Sequence, residues 1–267
     1  MKVFTFLKVS ALVMLLLAGC TPGQEEKRAV VENENPPAEG FNVEGSDPKA
    51  IVIADKVMEA MGGRRNWDNT RYVCWNFFGA RELIWDKQTG DVRIESYRDS
   101  TIYILNIHSM EGSVMKYGKE ITQPDSLAKY LERGKRIWIN DSYWLVMPYK
   151  LKDSGVTLKH LGEDTTQSGL QADVLELRFE NVGVTPENKY NVWVDKETSL
   201  VRQWAYYRND TLTEPGFILP WNEWKQYKDI LLSGNRGERE LSDIMVLDTL
   251  PENTFLTFDH VILPGVE

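Results

Sequence analysis

The stretch Gln171-Ala172-Asp173-Val174-Leu175-Glu176-Leu177-Arg178-Phe179-Glu180 alternates without a break over its second half. Leu175, Leu177 and Phe179 fall on one side, and Glu176, Arg178 and Glu180 fall on the other. A period of two puts successive side chains on opposite faces of a strand, so one face here is dry and the other wet. Thr101–His108 differs: Ile102 and Ile104 oppose Tyr103, Leu105 and Ile107, so both faces carry apolar groups and the strand needs cover on both sides. Similar short runs occur at 71–78, 81–86, 91–98 and 113–117, and again at 156–163, 189–195, 200–208, 222–230 and 238–247. Gly79, Thr89-Gly90, Asp99-Ser100 and Glu111-Gly112 punctuate the first group, as turns do in a meander of hairpins. About eleven such runs predict a mainly β (α+β) domain, a curved antiparallel sheet that forms a half-open barrel.

Two helices are predicted. Ser46 or Asp47 can cap the first, Pro48 suits its first turn, and Gly62-Gly63 suits a left-handed stop. Ala50, Ala54, Val57, Met58 and Met61 give it one apolar face. The second follows Pro124-Asp125, with Leu127, Tyr130, Leu131, Ile137 and Trp138 at helical spacing and a break expected near Gly134. Laid over the concave face of the sheet, this segment would act as a lid. The space beneath is either filled core or a ligand cavity.

The chain of 267 residues is 42% hydrophobic and 11% aromatic, ample for a packed core. It carries 31 basic and 40 acidic residues, net −9. Such a balance disfavours nucleic acid, which rewards clustered Lys and Arg. There is no Gly-x-Ser-x-Gly elbow and no His-Glu-x-x-His helix. His108, His160 and His260 lack metal-ligand spacing, so neither catalysis, a metal nor a cofactor is expected. Cys74 lies in an apolar run and reads as a small buried hydrophobe.

Residues 1–19 have the charged start, short apolar core and small C-terminal residues of a secretory signal peptide. Leu17-Ala18-Gly19-Cys20 resembles the lipobox of bacterial lipoproteins, which implies acylation of Cys20 and attachment to a membrane through it. Without Lys2 and Lys8 the net charge is −11, so broad attraction to anionic lipid is not expected and acyl chains must provide the anchor. Residues 20–46, rich in Glu, Gly, Pro and Asn, read as an acidic flexible tether with a typical span of roughly 25–30 Å. The domain itself is expected from 47 to 267.

Several segments resemble the LolA/LolB-like lipoprotein-carrier superfamily, in its secreted-lipoprotein branch. They are Met61-Gly62-Gly63 with Asn66-Trp67, and Asp141-Ser142-Tyr143-Trp144-Leu145 running into Pro148-Tyr149-Lys150-Leu151. Tyr190-Asn191-Val192-Trp193-Val194-Asp195 with Leu200-Val201-Arg202, Trp224-Lys225-Gln226-Tyr227-Lys228 and Leu250-Pro251-Glu252 complete the set. The resemblance implies an unclosed barrel with a helical lid and an apolar cavity for the acyl chains of lipid or lipoprotein. It also implies an outer-membrane location, periplasmic or surface-exposed, a monomer, and a protein partner of the carrier or transporter kind. The lid-latching arginine of the carriers has no evident match here.

Trp75, Phe77, Trp85, Tyr103, Trp138, Trp144 and Trp204 are the candidates for the cavity wall. Phe217, Ile218 and Leu219, bracketed by Pro215 and Pro220, either project as a membrane-facing loop or fold back along the sheet edge. A carbohydrate-binding surface lipoprotein is the rival reading. It would display coplanar aromatics to solvent, with Trp193 between Asn191 and Asp195 as the best platform.

Overall fold

A computed structural model describes residues 34–180 and 183–264, together with Met1. The signal peptide, Cys20 and the first part of the tether lie outside the described residues. Residues 34–46, expected to belong to the tether, are packed on the domain. The Ala38 N–H donates to Lys152 O at 3.0 Å, Asn42 N–H to Val156 O at 3.0 Å and Asp47 N–H to Leu158 O at 2.9 Å. Phe41 joins the main core. These backbone bonds give the Pro- and Gly-rich stretch the partners that its composition alone does not supply.

Helix α1 spans Pro48–Ala60 and a short α2 spans Arg64–Asn69. Strands β1 (Tyr72–Phe77), β2 (Arg81–Asp86), β3 (Asp91–Ser96), β4 (Thr101–Asn106), β5 (Gly112–Lys116) and β6 (Lys119–Glu120) follow as hairpins. The long helix α3 runs from Pro124 to Val146 and passes into a 3-10 turn, Met147–Lys150. Then come β7 (Val156–Thr165), β8 (Gln171–Phe179), β9 (Lys189–Asp195), β10 (Val201–Tyr207) and β11 (Phe217–Pro220). Strands β12 (Asn222–Tyr227), β13 (Ile230–Arg236) and β14 (Arg239–Leu247) complete the order.

The expected half-barrel is instead two open sheets among the described residues. One has nine strands in the order β12-β13-β14-β1-β2-β3-β4-β5-β6, the other five in the order β11-β10-β9-β8-β7. The chain passes from one to the other at Trp221, whose N–H still bonds Arg202 O in the five-stranded sheet at 2.8 Å. Neither sheet closes, as a half-open form requires, but the expected eleven strands are corrected to fourteen in two sheets among the described residues. The run expected at 222–230 is β12 together with the turn into β13, which sequence reading missed because Ser233, Gly234 and Asn235 interrupt its apolar pattern.

A single core lies between the sheets and the helices, drawing on α1, α3 and strands of both sheets. The back of the nine-stranded sheet is covered by the C-terminal segment, where Val261 and Leu263 pack with Cys74 and Ile84. Arg93 fastens that segment, donating to the carbonyls of Thr254, Thr257 and Asp259 at 2.7–3.2 Å. β4 is therefore covered on both faces, as its apolar-apolar pattern predicts. Asp47 stands at the N-cap of α1 but makes no side-chain cap; its carboxylate accepts from the His160 N–H instead and ties α1 to β7.

Candidate functional site

Helix α3 fills the concave side of the nine-stranded sheet, and its burial is uneven along its length. Leu131, Gly134, Asp141, Ser142, Trp144, Leu145 and Val146 are its buried residues, so five of the seven sit in the last six positions. Gly134 does not break the helix. A Cβ there would meet Tyr103 Cδ1 at 3.1 Å and Leu105 Cδ2 at 3.3 Å, so the absence of a side chain lets α3 press onto β4. Past its C-terminus, the Tyr149 hydroxyl shares its one proton between Leu231 O at 2.8 Å and Met61 O at 2.9 Å, and its ring stacks on Trp67 at 4.2 Å. One end of α3 is thus rooted in the core, while the other lies on the surface.

Along one rim the helix is held by polar side chains. Lys116 donates to the Tyr130 hydroxyl at 3.2 Å, and Arg133 pairs with Asp99 at 3.2 Å. The strongest contact is deeper. Arg81 Nε donates to Asp141 Oδ2 at 2.6 Å and Nη2 to Oδ1 at 3.0 Å, a two-pronged pair between β2 and α3. Asp141 is wholly buried and Arg81 is 22% exposed. Burial raises the Asp141 carboxyl above its ordinary range, and the Arg81 bonds offset only part of that. The same hairpin grips α3 with Phe78, whose ring meets Trp144 edge-on at 5.1 Å. Phe78 holds φ +55°, a left-handed conformation that bulky residues rarely adopt.

Arg236 holds the C-terminal end. Fully buried, it donates to Trp144 O at 2.7 Å, one of the last carbonyls of α3, where a positive charge suits the helix terminus. Its guanidinium also lies over the Trp221 ring at 3.3 Å. Burial without a carboxylate partner drives its pKa well below the ordinary value.

All seven predicted cavity residues belong to the main core or pack against it. Trp75, Phe77, Tyr103, Trp144 and Trp204 are buried in the main core, with Trp85 and Trp138 packed half-buried against it. They pack against one another: Trp144 meets Trp204 edge-on at 4.8 Å, and Trp85 meets Trp138 at 5.3 Å. Trp138 and Trp144 come from α3 itself, so the helix contributes two of the seven rings. One pocket is an open groove on α3 bordered mainly by charged side chains, and another, beside Tyr149, holds only about 10 Å³. Yet the indole N–H groups of Trp75, Trp85, Trp138, Trp204 and Trp221 and the Tyr143 hydroxyl have no hydrogen-bond partner among the protein's own groups. Buried Trp and Tyr tips ordinarily find one.

The predicted membrane-facing loop is corrected. Phe217, Ile218 and Leu219 form β11, paired with Tyr206, Ala205 and Trp204 of β10. Phe217 stacks on Tyr206 at 5.2 Å, so its ring belongs to the sheet edge. The sugar platform is not formed either. Trp193 is 7% exposed and its N–H donates to Asp164 Oδ2 at 3.1 Å, and none of the nine tryptophans is exposed. Sequence reading passed over Arg81, Asp141, Phe78 and Arg236. Asp141 left a signal: it interrupts the apolar stripe of Ile137, Trp138, Trp144 and Leu145, where a carboxylate needs a buried partner.

No protein-family model and no curated protein matches the chain. Among solved structures it is similar to a DUF1329 family protein from Desulfovibrio piger, at 14% identity and a TM-score of 0.43 over 79% of this chain and 98% of that one. It is also similar to a domain assigned to outer membrane lipoprotein sorting from Vibrio parahaemolyticus, at 14% identity and a TM-score of 0.37, covering 76% of this chain and 97% of that one. A LolA superfamily protein from Nitrosomonas europaea aligns at 10% identity and a TM-score of 0.30, over 78% and 97% of the two chains.

Proposed function

We propose that this domain binds the acyl chains of a lipid or lipoprotein between its sheets and α3, with the N-terminal part of α3 lifting as a lid. The carrying observation is the pair of partnerless indole N–H groups of Trp138 on α3 and Trp85 on β2, whose rings meet at 5.3 Å. A buried polar group left unpaired costs about 1–3 kcal/mol, so a closed packing with two such groups is poorly matched to itself. Lifting α3 lets these tips reach water or the polar parts of a cargo.

The energetics allow exchange of lid for ligand. Among residues 124–141 Leu131 is the one large apolar side chain fully buried, with Leu127, Tyr130, Ile137 and Trp138 half-buried beside it. A fully buried side chain contributes about 1.5–3 kcal/mol. A dozen buried methylenes of an acyl chain contribute about 10 kcal/mol at about 0.8 kcal/mol each, comparable with the contacts they replace. Arg81 and Asp141 set the closed position, while Tyr149 and Arg236 keep the C-terminal end as the hinge.

Anchoring through acylated Cys20 belongs to the same reading and rests on the lipobox resemblance. It places the domain in the cell envelope beside a membrane from which cargo is taken or to which it is delivered. The test is uptake of a lipophilic fluorophore by the purified protein, read as saturable emission enhancement. Trp138→Ala is expected to weaken uptake while leaving the circular dichroism spectrum unchanged. Well-folded protein that takes up no fluorophore removes the proposal.

A further inference from the structure

The outer side of α3 carries a feature that the acyl-chain reading does not use. Lys129, Glu132, Arg133, Arg136, Ile137, Asn140 and Asp141 follow at three- and four-residue steps along one helix face. With Arg81 of β2 they enclose an open groove of about 460 Å³. Clefts that hold small molecules are roughly 300–1,000 Å³. Four cations face this groove against two acids. Arg81 and Asp141 satisfy each other, and Glu132 is the remaining acid. Arg133 reaches Asp99 across the rim, a pair whose arginine is 54% exposed. Lys129 and Arg136 have no ion-pair partner among the described residues.

A chain of net charge −9 has little general reason to collect cations, yet four stand within residues 129–136, and three of them, Lys129, Arg133 and Arg136, line the groove. Lys129 and Arg133 are four apart and Arg133 and Arg136 three apart, so like charges are neighbours on the helix surface, and Glu132, three from Lys129 and four from Arg136, offsets only part of their repulsion. An anion seated among them turns that repulsion into attraction. The guanidinium fork matches the oxygens of phosphate in two-pronged fashion, and a lysine adds a point charge. Ile137 gives the groove an apolar patch, and the Asn140 amide adds a donor.

We propose that this groove binds a phosphate group, carried by an amphiphile whose chains enter beneath α3. Phosphate would sit among Lys129, Arg133 and Arg136 on the outside of the helix while the chains lie on its inside. The inference rests on the lid reading for the chains but not for the phosphate, and the two can fail separately.

The experiment is calorimetric titration of the full-length protein with three probes: dioctanoyl phosphatidic acid, dioctanoylglycerol and inorganic phosphate. Short-chain lipids keep the titration below the concentration at which vesicles form. The phosphatidic acid is expected to bind at least tenfold more tightly than dioctanoylglycerol. The exposed double substitution Lys129→Gln with Arg136→Gln should abolish that preference and leave the dioctanoylglycerol affinity intact. Binding of inorganic phosphate that is lost in the double variant identifies free phosphate as a sufficient ligand; no binding of it, with the lipid preference kept, identifies the headgroup. Equal affinity for the two lipids, or a preference that survives both substitutions, overturns the phosphate site. Phosphate binding with no affinity for either lipid overturns the lid reading alone. No binding of any probe overturns both.

Discussion

Asp141→Asn separates a lid from a core helix. The substitution keeps the side-chain shape and removes the charge that Arg81 meets at 2.6 and 3.0 Å. Removing one partner of a buried ion pair costs about 3–5 kcal/mol when the other charge is stranded. Arg81 is 22% exposed and can recover part of its hydration, so the expected loss is smaller, about 2–3 kcal/mol. If residues 124–141 open as a unit about the rooted end near Tyr149, that loss falls on local opening. Amide exchange in that part of α3 should then accelerate about 30- to 150-fold, since each 1.36 kcal/mol is tenfold. Amides of β8 and β9, on the separate five-stranded sheet, should keep their protection. Hydrogen exchange with mass-spectrometric readout measures both regions in one sample. If α3 and β8–β9 lose protection together and by the same factor, α3 opens only with the whole domain and the lid is refuted.

Three further outcomes follow from the same contacts. Burial pushes the Cys74 thiol up to about 12, so iodoacetamide at pH 8 should leave it unmodified in the native protein and modify it once urea unfolds the chain. Burial raises the Asp173 carboxyl, but its bonds to His160 at 2.7 Å and Lys49 at 3.2 Å together hold it below its ordinary 3.8. A carboxyl lowered on folding contributes stability above its unfolded value and loses it as pH falls through the folded one, so Asp173→Asn should flatten the fall of Tm below pH 4. Cys20→Ala should move the protein from the membrane to the soluble fraction on cell fractionation, and retention in the membrane fraction counts against the anchor.

Local chemistry made the strands and helix starts legible. Lys189–Asp195 agrees to the residue, because alternation and flanking turn residues act at the scale of the strand itself. Sheet closure was not legible, since it depends on which strand ends meet across the fold. Phe217–Leu219 read as an apolar loop because two prolines bracket it. Pro220 is nonetheless tolerated, since β11 is an edge strand and a proline there need not donate to a neighbour on its outer side. The aromatic candidates were found as a set because bulky aromatics mark any packed interior. Their pattern did not distinguish a wall around a hollow from rings that fill it. That distinction lies in α3, whose surface residues complete the interior from the other side.

Gly134 carries that argument to a test. A glycine inside a long helix is worth about 1 kcal/mol less than alanine, so helix propensity alone makes Gly134→Ala stabilising. Contact predicts the reverse, because the new methyl would meet Tyr103 at 3.1 Å and Leu105 at 3.3 Å, two side chains themselves buried against the sheet. Neither can turn away without displacing other rings, so α3 must lift by a few tenths of an ångström. Crowding of this kind costs about 1–3 kcal/mol, which cancels or exceeds the propensity gain. Gly134→Ala should therefore lower or leave unchanged the Tm while raising fluorophore uptake, since it loosens α3 where the cargo enters. A raised Tm with unchanged uptake would show that the close approach of α3 to β4 has no bearing on what lies beneath it.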